Sequence, residues 1–305
     1  MKKILIIIGV FIICPLFSMT KWSNAWTINS TWEEFSVGSR GSSSYFLGDT
    51  GGSVSDTYSH SGTKSYKVAL TGGKENTGQH AFALPSNITE GGQVWARVYL
   101  YAPLGFDWTA NPISKILRLA VLESGAQRGY ISILEIRPSN YGCTYNSVKF
   151  GQPPDNYGYI VGGSEYYGSL LSYPDSNNYV CQNRNIAQAN YLTVGQWHCI
   201  ELYAKAGSTS NGIFRAWHNG ELIWEHTNIN TIPPSGYIGN GTIVGHLLGW
   251  WNGGFPKDQD IYFDDLVITN ETPTNRDKEG NFMIGPTGGP LPSAPTPPTN
   301  LRIIQ

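Results

Sequence analysis

Charge is scarce in this chain. Asp, Glu, Lys and Arg make up 14% of its 305 residues, 20 basic against 22 acidic, for a formal net charge of −2. Such a balance leaves no basic footprint for nucleic acid, whose binding rests on clustered Lys and Arg. Cysteine and methionine are sparse as well, with 4 and 3 residues. No Cys cluster has zinc spacing, and there is no phosphate loop and no nucleophile elbow. His80, His198, His218, His226 and His246 show no metal-ligand spacing either. A 3.6-residue apolar period is almost missing, with residues 113–122 and 185–192 the only short candidates, which argues against a helical enzyme. The long apolar run at residues 4–13 is too short to span a bilayer as a mature helix.

That run has another reading. Met1-Lys2-Lys3 precedes it and the small residues Ser23 and Ala25 follow, the pattern of a secretory leader cleaved after Ala25. Residues 1–25 are therefore expected to be a signal peptide, and the protein to be secreted, extracellular or periplasmic, with no membrane span after cleavage. Cys14 lacks the small residues of a lipoprotein box, so no lipid anchor is expected. Of the remaining cysteines, Cys143 and Cys181 lie in loop-like sequence and are the expected disulfide, while Cys199 sits within a strand-like run.

What the chain has in abundance is Gly (36), Tyr (18) and Trp (10), the composition of a loop-rich β fold with aromatic surfaces. Strand-like runs recur at residues 65–70, 79–84, 93–101, 115–122, 130–136, 196–205, 213–218, 221–226, 242–248 and 260–269, separated by Gly, Pro, Asn and Ser. Many short strands with turn signals between them predict an all-β sandwich or barrel. Asn219-Gly220 predicts a tight hairpin, because both residues tolerate positive φ. A polar and aromatic insert occupies residues 138–189. Residues 26–271 are expected to form the sandwich and residues 272–305, rich in Pro, Gly and Thr, a linker and tail. The tail ends in Pro297-Pro298-Thr299-Asn300-Leu301-Arg302-Ile303-Ile304, which resembles the first strand of a fibronectin type III module and is read as a tail or a truncated second domain.

Two runs carry the candidate binding residues. In one, Val94, Ala96, Val98 and Leu100 alternate with Trp95, Arg97, Tyr99 and Tyr101. In the other, Ile200, Leu202 and Ala204 alternate with Cys199, Glu201, Tyr203 and Lys205. A sheet face of rings and a few charges suits a polysaccharide, since pyranose C–H faces stack on rings while hydroxyls take hydrogen bonds. Trp95, Arg97, Tyr99, Tyr101, Glu201, Tyr203, Lys205 and Trp250 are the carbohydrate-binding candidates. The alternatives are ordinary solvent-facing strand positions or a second aromatic core beneath a loop.

Several stretches in order resemble the concanavalin A-like jelly-roll group of polysaccharide-binding and polysaccharide-degrading domains. They are Trp32-Glu33-Glu34-Phe35, residues 59–68, residues 94–103, the hairpin Arg215-Ala216-Trp217-His218-Asn219-Gly220 and residues 261–267. The resemblance implies a two-sheet antiparallel β-sandwich of jelly-roll type. It also implies a structural calcium ion (Ca2+) held by Glu34, the turn at residues 60–63, and Asp264 or Asp265. For its lyase-like members it implies Lys115, Ser132 and the pair Tyr157 and Tyr159 as catalytic residues. One departure stands out: Leu134 occupies the place of an expected arginine after Ser132, so Arg97, Arg118 or Arg137 would have to neutralise a uronate. The Glu-x-Asp-x-x-Glu strand shared by jelly-roll glucanases is absent, which disfavours retaining glycosidase chemistry.

The reading is a secreted, monomeric jelly-roll domain that binds an extracellular or cell-wall polysaccharide. The first alternative is a polysaccharide lyase cleaving an acidic polymer by β-elimination. The second is a structural or adhesion protein.

Overall fold

The computed structural model describes residues 25–43, 45, 52–75, 80–107, 114–137, 147–149, 194–239, 245–251 and 254–287. Its strands in chain order are β1 (Thr27–Ser30), β2 (Gly52–Ser55), β3 (Ser65–Leu70), β4 (His80–Phe82), β5 (Gln93–Tyr101), β6 (Ser114–Glu123), β7 (Ala126–Arg137) and β8 (Ser147–Lys149). They continue as β9 (Trp197–Lys205), β10 (Gly212–His218), β11 (Glu221–Ile229), β12 (Tyr237–Ile238), β13 (Gly245–Trp251), β14 (Gln259–Thr269), β15 (Asn275–Arg276) and β16 (Phe282–Met283). No helix occurs among the described residues. The insert beginning at residue 138 lies outside them except for β8, so Tyr157, Tyr159, Cys143 and Cys181 do too.

All pairings are antiparallel. The larger layer has eight strands, in the order β11-β10-β9-β5-β14-β3-β2, with β1 also on β14. The smaller has six, β4-β13-β6-β7-β8, with β12 on β6. Strand β14 runs along β5 from Tyr262 to Thr269, while its other edge pairs first with β3 and then with β1. The change of neighbour falls at Asp264 and Asp265, where the register with β5 shifts and Asp265 takes φ of 48°. A bulge lets one long strand serve two partners.

The apolar faces read from the sequence meet between the layers. Val94, Ala96, Val98 and Leu100 of β5 and Ile200, Leu202 and Ala204 of β9 share one core with Leu117, Leu119 and Val121 of β6 and Leu247 of β13. Each Val or Leu fully buried there contributes about 1.5–3 kcal/mol. The hairpin at Asn219-Gly220 forms with φ of 50° and 84°, as the primed turn requires.

A third layer was not expected. Residues 272–287, read above as linker, instead lie against the outer side of the larger layer and carry the ribbon β15-β16. Its Pro286 packs on Gly220, where an added Cβ would come within 3.2 Å of the proline ring.

Candidate functional site

Most of the carbohydrate-binding candidates are found beneath this C-terminal strap. Trp95 and Arg97 are 2% exposed, Tyr99 and Glu201 1%, and Tyr203 5%. The expectation of an open aromatic groove at these positions is therefore corrected: the strap fills it. Trp95, Tyr203, Trp217, Leu222 and Met283 form a second apolar cluster, the alternative noted from the sequence. Polar groups in it are satisfied by the strap. The indole N–H of Trp95 donates to Phe282 O (3.0 Å), and that of Trp217 to Asp277 Oδ2 (2.8 Å). The Glu201 carboxylate accepts from the N–H of Ile284 (2.6 Å) and of Gly285 (2.8 Å). Arg97 donates to the carbonyls of Gly285 and Asp265. Lys205, at the end of β9, is half-buried, opposite Gln93 and Ile213.

A second lid covers the rest of this face. His60 stacks on Tyr99 with ring centroids 3.5 Å apart, and Tyr58 lies 4.6 Å from Tyr101. The loop bearing them is pinned from both sides. Asp264 Oδ2 accepts from the N–H of His60 (2.7 Å) and Ser61 (3.1 Å), while Asp265 meets His60 Nδ1 and the Ser61 hydroxyl, both at 2.6 Å. Opposite, Glu33 accepts from the N–H of Thr63 and Lys64.

This is the corner where calcium was expected, and its donor set does not fit a closed oxygen cage. The carbonyls of Glu33 and Phe35 both accept from Lys64 Nζ at 2.8 Å, so a side-chain ammonium already supplies the positive charge. Asp264 and Asp265 face N–H and O–H donors where a hard cation needs oxygen ligands. Glu34 is bonded to the Ser30 hydroxyl instead. Among the described residues no group of three or more His, Cys, Asp or Glu converges to hold a metal.

The remaining candidates fall on the other layer, and register alone sorts them by face. Leu117, Leu119 and Leu247 face the core. Arg118, which alternates with them, pairs with Ile133 and His246 and so takes the outer face. The ladder then bulges at Ile116. Beyond the bulge Lys115 pairs with Glu135 on one side and Trp250 on the other, and Glu135 pairs with Lys149. Leu134 pairs with core-facing Leu117, so its neighbour Glu135 and the whole row Trp250-Lys115-Glu135-Lys149 lie on the outer face. Arg137, two residues past Glu135, shares it.

Ser132 does not join this row. It pairs with Leu119, a core-facing position, which corrects its assignment to the same site as Lys115. Trp250 and Lys115 are brought together, whereas the other carbohydrate candidates are on the opposite sheet. Glu135, Arg137, Lys149 and His246 were not singled out as a group from the sequence. The signal was present in Glu135-Ile136-Arg137, two charges at strand spacing.

No family model matches the chain, and no curated protein matches it. Among solved structures, alginate lyase Aly36B aligns over 79% of this chain and 96% of its own, at 15% identity and a TM-score of 0.54. A double mutant of that enzyme in complex with alginate trisaccharide aligns over 79% and 97%, at 14% identity and a TM-score of 0.53. The marine PL-14 alginate lyase from Aplysia kurodai aligns over 72% and 87%, at 11% identity and a TM-score of 0.50. Likeness at these identities is likeness of fold. That fold, two antiparallel layers closed over one core, is the concanavalin A-like jelly roll that the ordered stretches of the sequence resemble.

Proposed function

We propose that the chain is a polysaccharide lyase that cleaves a uronate-containing polymer by β-elimination on the outer face of the six-stranded layer. The observation that carries this reading is the grouping of Lys115, Arg118, Arg137, Lys149, His246 and Trp250 positions on one face of neighbouring strands. The first row crosses four strands, about 15 Å at ordinary strand spacing, the scale of an oligosaccharide more than of one sugar. The likeness to alginate lyases, one of them bound to alginate trisaccharide, supports the same reading. It favours cleavage over binding alone, the first reading of the sequence.

The chemistry needs three functions. A cation pairs with the uronate carboxylate, so that the C5–H beside it becomes acidic and the developing enolate is stabilised. A base takes that proton, the C4–O bond breaks, and an acid protonates the departing oxygen. The products are a reducing end and an unsaturated uronate. Lys115, Arg118 and Arg137 are assigned the first role. His246, across from Arg118, is assigned proton transfer. Trp250 is assigned stacking beneath a sugar ring beside Lys115. Export through the leader belongs to this proposal, since such polymers lie outside cells.

The test is the rise in ultraviolet absorbance of unsaturated uronates with alginate or glucuronan as substrate. Wild-type protein is expected to produce it. Lys115→Ala and Arg137→Ala are expected to lower kcat/KM by a factor of about 100 or more, the size of effect seen on removing one group that stabilises developing charge. No absorbance change from either polymer, with the polymers still retained by the protein, returns the function to binding.

A further inference from the structure

Beyond the strap, the outer face of the eight-stranded layer ends in an aromatic platform. Tyr101, Trp197 and Tyr262 are buried side by side, with Tyr101 5.2 Å from Trp197 and 6.4 Å from Tyr262. Tyr58 lies over them, tilted 37° to Tyr101 and edge-on to Tyr262 at 5.0 Å, and keeps 37% of its surface exposed. Beside it opens a cavity of about 330 Å³ lined by Tyr58, Leu104, Lys257, Asp258, Asp260 and Tyr262. Leu104 is 79% exposed, an apolar side chain standing at the rim of a polar pocket.

The walls are tied in place. The Gln259 side-chain amide accepts from Asp107 N–H (2.9 Å) and donates to Asp107 O (3.1 Å). Lys257 Nζ donates to Gly105 O at 2.9 Å, and Asp258 accepts from Gly72 N–H at 2.7 Å. Both loops that frame the cavity are thus fastened to each other or to β3's exit, and the pocket is formed before any ligand arrives.

We propose that this cavity is a binding site for a neutral oligosaccharide, separate from the lyase face and on the opposite layer. The flat C–H face of a hexose stacks on the exposed ring of Tyr58 with Leu104 at its edge, and its hydroxyls meet carboxylate acceptors at Asp260 and Asp258 and the Lys257 ammonium. The charges decide the class. Asp258 matches Lys257, and Asp260 is paired with Lys67 outside the lining (3.8 Å), so no surplus cation is left to meet a uronate, which favours an uncharged sugar. The volume suits one or two rings, at the low end of ligand pockets, so a longer chain would continue along the surface. The site would let the protein hold neutral stretches of a mixed polymer whatever happens on the other sheet.

Calorimetric titration of the full chain with cellotetraose, mannotetraose and alginate tetrasaccharide tests the proposal. At least one neutral tetrasaccharide is expected to bind. Tyr58→Ala and, independently, Asp260→Asn are each expected to weaken it by about tenfold, while Tyr58→Phe keeps most of the affinity because the stacking ring remains. A melting curve for each variant separates loss of binding from loss of fold. Absence of binding by both neutral sugars overturns the proposal, as does binding that survives both substitutions. Binding of the alginate tetrasaccharide alone, lost on Tyr58→Ala, overturns the neutral class. None of these outcomes depends on whether unsaturated uronates are produced, so the two proposals fail separately.

Discussion

Glu201 and Asp264 are carboxylates in places where charge is costly. Burial pushes Glu201 up to about 7, outweighing the two strap N–H groups and the Arg97 guanidinium that pull it down. Burial and the neighbouring Asp265 charge push Asp264 up to about 7, against three backbone N–H donors. Both groups hold a proton more firmly in the native protein than in the unfolded chain, where their ordinary values are 4.5 and 3.8. Their contribution to stability is therefore full below about pH 4 and is lost as pH rises through about 7. Melting temperature is expected to fall between about pH 5 and pH 8, and Glu201→Gln to flatten part of that slope; a melting point that climbs over this range would contradict the assignment. The sequence announces neither carboxylate as unusual. Glu201 alternates with apolar residues like any solvent-facing strand residue, and only the arrival of a segment some eighty positions later buries it. Lys115 was singled out because its strand resembles a known pattern, and the register sets it beside Trp250 and Glu135. Ser132 was placed with Lys115 because Ile116, the extra residue at a bulge of β6, exchanges the two faces between Lys115 and Leu117, and a two-residue period carries no mark of such a slip.

The strap was the element least visible in the sequence. Its Pro, Gly and Thr content is that of a linker, and its docking relies on main-chain N–H and C=O groups, Glu201 and the two indoles, with Met283, Ile284 and Pro286 as apolar anchors among the described residues. Main-chain hydrogen bonds have no signature in side-chain pattern. Removing residues 272–305 is expected to bare Trp95, Tyr203 and Trp217, to return Glu201 and Arg97 to water, and to cost at least about 3 kcal/mol, since undoing the burial of each large apolar side chain forfeits about 1.5–3 kcal/mol. Increased binding of an apolar dye and a lower denaturation midpoint would register it; an unchanged midpoint would mean that the strap contributes nothing to stability. The loop at residues 58–64 makes the opposite case. Its Ser-Gly turn was read as a calcium ligand, yet it is fastened by Lys64 from one side and the aspartates from the other. A chelator is therefore expected to leave the melting temperature unchanged and Lys64→Met to lower it. A fall on chelation alone would restore the ion.

At the scale of the whole molecule, the architecture was the most legible part. Alternation in β5 and β9, the Asn-Gly hairpin and the even spacing of strands all reflect burial between layers, which acts on every strand alike. Function was less legible, because it depends on which of two outer faces stays available. One is covered over most of its area by the strap and the Tyr58–His60 loop, and the residues that looked most like a sugar site lie beneath them.

Strand β14 sits in the middle of the larger layer, yet in the chain it follows every other strand of both layers. Until it has been synthesised, β5 and β3 each keep a bare edge, and β1 has no partner at all. The nascent chain cannot therefore mature piece by piece. It must remain open until β14 exists, and then assemble in a slow step dominated by distant pairings. Ribosome stalling before residue 259 would release a product with exposed edges, the kind of species that proteases and chaperones remove.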